Sequence, residues 1–313
     1  MRTVVAAALA ALAVASIASA QRETLTADCS RTSTGYTPLV DLGKKTYHGH
    51  RGGLYANGRN TPPSAYLKRG LAVASQVKPR AADGRLDSSG SVVLLSIGMS
   101  NTTQEFSVFK QLSDRDPRRH PRLVIVDGAQ GGQDAERIRD PAALFWQVID
   151  QRLAAAQVTQ RQVQAVWLKE AFARPTDPFP AHAVRLRDAL EDIVGILRDR
   201  YANLRLVYVS SRTYGGYATT PLNPEPYAFE SGFAVKWLIQ RRVEGKLKGP
   251  WLAWGPYLWA DGLRGRSDGL VWECADAAAD GTHPSPSGRE KVAKLLLRFF
   301  TTDLTAKSWF TVR

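Results

Sequence analysis

An acid and a histidine stand three residues apart near the end of the chain, in the stretch DGTHPSPSG. Asp280 can accept the imidazole Nδ1–H of His283 within one loop, which leaves Nε2 free to take a proton from a serine hydroxyl. Pro284 and Pro286 restrict the backbone of this loop ahead of a helix-like run. The spacing predicts the general base and orienting acid of a serine nucleophile. The alternative is that Asp280 caps a polar turn and His283 is a surface residue.

Ser100, in the stretch SIGMSNTTQEF, is the candidate nucleophile. It follows the apolar run of residues 92–99, at the point where a strand is expected to give way to a helix. A serine hydroxyl at such a turn can face a crevice, while the first amides of the helix point toward a developing anion. The alternative is an ordinary helix N-cap, a position that serine favours.

A glycine cluster follows the next apolar run, residues 122–128, in the stretch VDGAQGGQDA. Gly128, Gly131 and Gly132 would let the backbone approach a substrate and aim an N–H group at it. A tight turn is the alternative. The stretch lacks the Gly-Lys-Ser/Thr ending of a Walker loop, so it is not one.

The elements that must position these residues are short apolar runs that alternate with amphipathic stretches. Residues 164–169 and 204–211 are two further runs of the kind that is typical of strands buried on both faces. Phe106, Phe109 and Leu112 recur at helical spacing after the first run, and similar stripes precede the fourth run and close the chain. The alternation predicts a three-layer α/β/α sandwich with a mainly parallel sheet, whose ligands bind beyond the carboxyl ends of the strands.

The order of these features resembles that of the SGNH, or GDSL-like, serine hydrolase superfamily. A serine follows the first strand, a glycine cluster follows the second, and Asp-x-x-His precedes the last helix. The resemblance implies a flavodoxin-like fold and no cofactor. It also implies that Ser100 attacks an ester carbonyl, that His283 is the general base and that Asp280 orients it.

The oxyanion hole of this family combines the serine amide, a glycine amide and an asparagine side chain. Gly132 matches the glycine better than Gly131 does. Where the family usually has Gly-x-Asn-Asp after the next strand, this chain has VWLKEAFARP, with Lys169 and Glu170 and no asparagine. Either another donor, Lys169 or Asn101, completes the hole, or the hole has two amides only. The alternative role for Lys169 and Glu170 is a structural ion pair at the sheet edge.

The organisation of the whole chain follows from its composition. Residues 1–20 carry Arg2, an apolar stretch and small residues up to Ala20, which is typical of a cleaved secretory signal peptide. Residues 21–90 are rich in turn formers and predict an irregular N-terminal extension, and residues 91–313 are expected to form the α/β domain. No later stretch reaches the roughly 20 apolar residues of a membrane-spanning helix. We expect a secreted or periplasmic protein without stable membrane insertion.

The cysteines and two closely spaced histidines are candidates for a disulfide and for metal binding, respectively. Cys29 and Cys274 can form a disulfide in an exported chain, and two unpaired thiols are the alternative. Such a bond would contribute about 4 to 5 kcal/mol in the loop-entropy description. His48 and His50 have no nearby cysteine or carboxylate partners, so no metal site is expected.

The charge of the chain is strongly basic. It has 42 Lys and Arg against 29 Asp and Glu, a net charge of +13, which becomes +12 when Arg2 is removed with the signal peptide. Such a surface favours polyanions. The basic residues are scattered, however, without a nucleic-acid module or a basic run with interleaved aromatics. We therefore expect a solvated basic surface and no nucleic-acid partner.

The function that these features predict is a secreted serine esterase that hydrolyses O-acyl esters, with acetyl groups on a polysaccharide as one candidate substrate and a small-molecule ester as another. Two alternatives stay open from the sequence. A non-catalytic module on the same fold would bind a glycan or cell-surface polymer through its basic surface, and an O-acyltransferase would use the same triad with a sugar as acceptor.

Overall fold

The computed structural model describes residues 26–312, so the predicted signal peptide lies outside the described residues. A five-stranded parallel sheet forms the centre of the molecule, and a two-stranded antiparallel hairpin lies apart from it. The hairpin strands are β1 (Thr46–Tyr47) and β2 (His50–Arg51), and the sheet strands are β3 (Val92–Gly98), β4 (Leu123–Asp127), β5 (Val163–Lys169), β6 (Leu206–Val209) and β7 (Trp251–Trp254). The order across the sheet is β4-β3-β5-β6-β7. Counted from the first sheet strand, this is the 2-1-3-4-5 order of flavodoxin-like folds.

The helices connect successive strands and close the chain. They are α1 (Leu39–Leu42), α2 (Ser64–Ala74), α3 (Ser100–Arg115), α4 (Ala135–Ile138), α5 (Leu144–Ala155), α6 (Ala181–Arg200), α7 (Tyr227–Val243), α8 (Pro286–Thr302) and α9 (Lys307–Phe310). Helices α3 and α8 pack together, as do α6 and α7. Because crossovers between parallel strands are right-handed, this strand order puts α3 and α8 on one face and α5, α6 and α7 on the other. The predicted three-layer α/β/α sandwich is confirmed.

The core lies on both faces of the sheet. All seven residues of β3 and all seven of β5 are buried, which explains why these strands are apolar on successive positions. Phe106 of α3 stacks on Trp167 of β5, with ring centroids 5.6 Å apart. In the part of the chain that the structure describes, no helix is both long and apolar enough to cross a membrane.

The described part of the N-terminal segment packs against β7. Tyr66 of α2 stacks on Trp251 with ring centroids 5.3 Å apart, and its hydroxyl donates to the Leu252 carbonyl at 2.8 Å. A Cβ atom at Gly70 would lie 2.4 Å from the Trp251 ring, so α2 can approach the strand this closely only with glycine there. The segment thus covers the edge strand of the sheet, whose open backbone groups would otherwise invite pairing with other chains.

Helix α2 and strand β7 differ from the sequence expectations. The segment expected to be irregular contains an 11-residue helix, α2, whose buried residues Tyr66, Gly70 and Ala74 include two small ones that give little apolar periodicity. Strand β7 was not predicted, because its four residues stand between glycine-proline pairs that are typical of turns. The other four sheet strands lie within two residues of the predicted runs.

Candidate active site

The candidate nucleophile lies at the junction of β3 and α3. Ser100 is the first residue of the 16-residue helix α3, and a single residue, Met99, separates it from the strand. A Cβ atom at Gly98 would lie 2.3 Å from the Thr102 hydroxyl oxygen and 2.5 Å from the Lys169 carbonyl oxygen. Only glycine therefore allows the chain to enter the helix so close to β5. At this position the first N–H groups and the dipole of the helix favour negative charge.

Three side chains meet in the order that serine catalysis requires. The Ser100 Oγ lies 2.7 Å from His283 Nε2, and His283 Nδ1 lies 2.5 Å from the Asp280 Oδ2. The side chains of His283 and Asp280 are 27% and 20% exposed. The structure thus brings together the serine, histidine and aspartate that were predicted from separate parts of the sequence, at a site that a substrate can reach.

The loop that carries Asp280 and His283 is fixed by the aspartate itself. Asp280 Oδ1 accepts the backbone N–H groups of Thr282 at 3.0 Å and of His283 at 2.9 Å. Burial raises the pKa of the Asp280 carboxyl, but the bonds from the His283 ring and from these backbone groups outweigh burial and hold the pKa below its usual value. Asp280 therefore remains ionised at neutral pH and keeps the Nδ1–H tautomer of His283.

The glycine loop after β4 is held by a buried polar network. The Gly128 N–H donates to the Ser96 hydroxyl at 3.1 Å, and that hydroxyl donates to Asp127 at 2.5 Å. The Gln130 N–H donates to the Gly98 carbonyl at 2.9 Å. The loop is therefore bonded directly to the end of the strand that carries the nucleophile.

Two glycines of this loop lie next to the candidate nucleophile. A Cβ atom at Gly131 would lie 3.8 Å from the Ser100 Cβ. Gly132 has a φ of +72°, in the left-handed region that favours glycine, and it borders the pocket in which Ser100 and His283 lie. Of the two, Gly132 is the one that lines this pocket.

Asn101 is a buried residue that borders the same pocket. Its side chain is 3% exposed and its Oδ1 accepts the Thr102 N–H at 3.0 Å. Its Nδ2 has no hydrogen-bond partner among residues 26–312. A buried amide group without a partner costs free energy, and a negative oxygen in the pocket would relieve that cost.

Lys169 is not positioned to donate to an oxyanion. It is 1% exposed, and its ammonium group bonds both carboxylate oxygens of Glu105 at 2.5 Å. The expected ion pair of Lys169 with Glu170 at the sheet edge is also not what the structure has, because the partner is Glu105 and β5 is the central strand. Sequence neighbours on a strand point to opposite faces, so Lys169 meets a residue of α3 instead.

Glu170 is buried without a cationic partner in direct contact. Its Oε2 accepts the Ala171 N–H at 3.1 Å, and its Oε1 has no partner within the described chain. Burial raises the pKa of this carboxyl well above its usual value. Burial therefore disfavours the charged form of Glu170.

The pocket contains residues that the sequence did not single out. It has a volume of about 330 Å³, and Arg212, Leu222 and Asn223 reach it from the connection between β6 and α7. Asn223 is 2% exposed and donates from Nδ2 to the Phe172 carbonyl at 3.2 Å. These residues follow the carboxyl end of the fourth sheet strand, which is the place where parallel sheets bind ligands. This rule about parallel sheets is the signal by which the sequence could have indicated Arg212, Leu222 and Asn223.

The two cysteines are joined close to the histidine loop. Cys29 and Cys274 form a disulfide with Cα atoms 5.3 Å apart, across 245 residues of sequence. Cys274 begins the 3-10 turn Cys274–Asp276, shortly before Asp280. Separately, residues 26–312 contain no group of three or more His, Cys, Asp or Glu side chains that could hold a metal ion.

Comparison with known proteins gives similarity to solved structures only. No protein-family model matches the sequence, and no curated protein matches it significantly. An acetylxylan esterase from Geobacillus stearothermophilus, solved as a catalytic mutant, has 15% identity and a TM-score of 0.42, with 72% of this chain and 99% of that chain covered. A lipase/acylhydrolase from Enterococcus faecalis has 13% identity and a TM-score of 0.41, covering 66% and 94%.

A third structure is the periplasmic domain of a lipopolysaccharide acetyltransferase from Salmonella ser. Paratyphi A. It has 12% identity and a TM-score of 0.38, covering 77% of this chain and 95% of that chain. All three similarities are weak. The flavodoxin-like α/β/α fold stands on the strand order of the sheet and on the places where the chain turns from strand to helix.

Proposed function

We propose that this chain, which has an SGNH-like hydrolase fold, is a serine esterase that cleaves O-acyl esters. The observation that carries the proposal is the 2.7 Å separation of Ser100 Oγ and His283 Nε2, with Asp280 bonded to the other ring nitrogen. A serine that serves only as a helix cap would have no reason to bond a histidine 183 residues away in sequence. The arrangement has the atoms needed for general-base activation of a hydroxyl.

The first half of the reaction forms an acyl-enzyme. The Ser100 hydroxyl donates its proton to His283 Nε2 as its oxygen attacks the ester carbonyl carbon, and Asp280 stabilises the imidazolium that results. His283 then gives the proton to the departing alkoxide, and the alcohol leaves. In the second half, water attacks the acyl-Ser100 ester with His283 again as base, which releases the acid and restores the hydroxyl.

The negative oxygen of each tetrahedral intermediate needs donors. The backbone N–H groups of Ser100 and Gly132 are two candidates, and the unpartnered Nδ2 of Asn101 is the third. In this proposal Asn101 takes the part of the asparagine that is missing after β5. It lies on the same helix turn as the nucleophile, so its position relative to Ser100 is fixed by the helix geometry.

The proposed substrate carries a short acyl group, with acetyl as the first candidate. The pocket volume of about 330 Å³ is at the small end for ligand sites, which favours short chains over long fatty acids. A polysaccharide or small-molecule acetyl ester outside the cytoplasm would agree with the proposed signal peptide. Release of acetate from acetylated polysaccharides, against a series of 4-nitrophenyl esters of increasing chain length, tests this choice.

The proposed export has its own test. The full chain is expressed with residues 1–20 intact, and the N-terminus of the protein recovered from periplasm or medium is sequenced. Export with a new N-terminus at Gln21 supports cleavage after Ala20. An intact Met1 in a protein confined to the cytoplasm contradicts it.

The decisive experiment on the mechanism replaces the nucleophile. Ser100→Ala is expected to lower kcat for 4-nitrophenyl acetate by about 10⁶-fold, to the rate that binding alone supports. Ser107→Ala is the matched control, because Ser107 lies on the same helix but is exposed and bonds only the Gln104 carbonyl. Circular dichroism and thermal melting check that both variants fold. Turnover that persists in Ser100→Ala rejects the mechanism.

The same proteins separate the two alternative functions. A fluorophosphonate should label Ser100 in the wild type and in Ser107→Ala, with the adduct located by mass spectrometry. Absence of labelling together with salt-sensitive glycan binding would support a non-catalytic module. Acyl transfer is measured by adding sugar acceptors and comparing the yields of free acid and acylated sugar, because both reactions share the acyl-enzyme.

A further inference from the structure

Arg212 is a buried cation at the wall of the catalytic pocket. It lies three residues after the end of β6, is 4% exposed, and borders the same pocket as Ser100 and His283. Its backbone N–H donates to the Ser231 hydroxyl at 3.1 Å, which ties this part of the loop to α7. The position of the arginine is therefore set by the packed scaffold.

The guanidinium group of Arg212 lacks a direct partner. Its Nε is buried without a hydrogen bond, and within residues 26–312 no carboxylate lies at ion-pairing distance from the group. Arginine stays charged in proteins, and a buried charge that is neither paired nor hydrogen-bonded is costly. A planar fork of five donors facing a pocket is suited to bidentate binding of a carboxylate.

The nearest acids on the surrounding elements are already engaged. Glu105 is bonded to Lys169, and Asp280 to the His283 ring. Each pair satisfies its own carboxylate, so neither is free to turn toward Arg212.

Three further acids nearby are likewise held by other groups. Asp134, which borders the same pocket, accepts the Arg137 N–H at 3.3 Å and the Ala173 N–H at 2.9 Å. Glu225 accepts the Gly215 N–H at 2.8 Å, the Phe229 N–H at 2.9 Å and the Trp259 indole N–H at 2.7 Å. Glu170 accepts the Ala171 N–H, and burial raises the pKa of its carboxyl. Glu225 and Glu170 contribute a distant field around Arg212 but no contact. The open side of the arginine is the pocket.

We propose that Arg212 binds a carboxylate of the substrate, so that the preferred substrate of this site is an ester that also carries an acid group. The ester part rests on the proposed function, whereas the anion site stands on Arg212 alone. Contact with a substrate carboxylate would give the guanidinium the anionic partner that it lacks within residues 26–312. The same contact would hold the ester carbonyl against Ser100. The net charge of +13 would attract such a substrate from solution.

The substrate test uses matched acid and neutral esters. Monomethyl succinate carries its carboxylate on the acyl side and acetoxyacetate carries it on the alcohol side, with dimethyl succinate and methyl acetoxyacetate as neutral controls. We expect kcat/KM to favour the acid over its neutral control by about tenfold or more in one pair, in line with a charge-assisted bidentate contact. The pair that shows the preference identifies the side. A ratio near one in both pairs overturns the proposal.

The variants assign the preference to one residue. Arg212→Gln should remove the acid preference, measured as the ratio of kcat/KM for the acid ester to that for its neutral control, and Arg212→Lys should keep part of it. Arg205→Gln is the matched control, because Arg205 also has an unpartnered Nε but precedes β6, at the opposite end of the same strand. If the preference survives in Arg212→Gln, or if acid and neutral esters lose activity equally, the residue is structural and the proposal is rejected.

A binding measurement separates this proposal from the proposed function. In the Ser100→Ala protein, calorimetric titration should show that the acid of one pair binds about tenfold more tightly than its neutral control, and that Arg212→Gln removes the difference. If the wild type hydrolyses no ester but this difference is present, the esterase proposal fails and the anion site stands. If Ser100-dependent turnover is present without any acid preference or difference in binding, the anion site fails and the esterase proposal stands.

Discussion

Two acid–base pairs near the carboxyl ends of the central strands have opposite surroundings. Asp280 and His283 lie in a loop with side chains 20% and 27% exposed, whereas Glu105 and Lys169 lie between α3 and β5 with both side chains 0% exposed. From the sequence, His283 is the predicted general base and Lys169 is one of two candidate donors to the oxyanion. The difference shows that a charged group serves chemistry only where the scaffold leaves one of its faces open.

In the buried Glu105–Lys169 pair, the cost of removing charge from water opposes the electrostatic attraction more strongly than in the partly exposed Asp280–His283 pair. Burial lowers the pKa of Lys169 to about 8, against the opposing attraction of Glu105. Removing two charges from water costs several kcal/mol per ion, and the attraction of the pair recovers that cost only with good geometry. Such a pair fixes which face of α3 meets β5, because any other rotation of the helix would leave a charge buried alone.

The largest expected effect comes from breaking the open pair. His283→Ala removes the general base, and we expect kcat for 4-nitrophenyl acetate to fall by about 10⁶-fold. The melting temperature should change little, because the ring is partly exposed and its loop is held by Asp280 bonds to backbone N–H groups. Steady-state kinetics on one preparation test the loss of activity, and thermal melts on the same preparation test the unchanged stability. Substantial residual turnover would remove His283 from the mechanism.

Breaking the buried Glu105–Lys169 pair should lower stability strongly and activity only a little. Lys169→Met leaves Glu105 buried without its cation, and we expect the free energy of unfolding to fall by about 3–5 kcal/mol. The double variant Glu105→Leu, Lys169→Met removes both charges and should be more stable than the single variant. Urea denaturation measures both, and kcat of the folded variants should fall far less than in His283→Ala. A single variant as stable as the double would show that the pair is not coupled.

Asn101 sharpens the comparison because it is buried like Lys169 but borders the pocket like His283. Asn101→Ala should lower kcat by about 10²- to 10³-fold if its Nδ2 stabilises the oxyanion. KM should change little, since the interaction forms in the transition state. Asn101→Asp, of nearly the same shape but without the donor, should be at least as slow. Wild-type kcat in Asn101→Ala would mean that the hole has two amides only.

The smallest expected effect concerns a buried acid without a cation, Glu225. Burial raises the pKa of its carboxyl to about 7, against a usual value of 4.5. Between these pH values the folded state binds more protons than the unfolded state, so stability falls as pH rises from about 4.5 to 7, by up to about 3 kcal/mol. Glu225→Gln should flatten that part of the profile. Denaturation across this range measures the slope, and an unchanged slope would contradict the assignment.

The sheet and the triad were accessible from sequence because each depends on local patterns. Four strands appear as short, mostly apolar runs. Ser100 lies two residues after the first of them, and Asp280 and His283 precede the apolar stripe of α8. Helix α7 was not predicted, because it is buried on nearly all sides and shows no amphipathic stripe.

The pairings across the structure were not accessible in the same way. The Glu105 partner of Lys169 depends on how α3 rotates against β5, and the role of Arg212 depends on which carboxylates other groups have already bound. The residues next to Lys169 and Arg212 in the sequence indicate neither of these arrangements. The signal for Arg212 was only its place after the fourth sheet strand.

The disulfide divides the chain into a covalent ring and a tail. The ring runs from Cys29 to Cys274 and contains Ser100, whereas Asp280 and His283 lie on the tail beyond it. A single peptide-bond cut inside the ring leaves all three triad residues on one covalent molecule. A cut between Cys274 and Asp280 releases Asp280 and His283 from Ser100, so those few residues form the stretch where a single cut separates both side chains covalently from the serine.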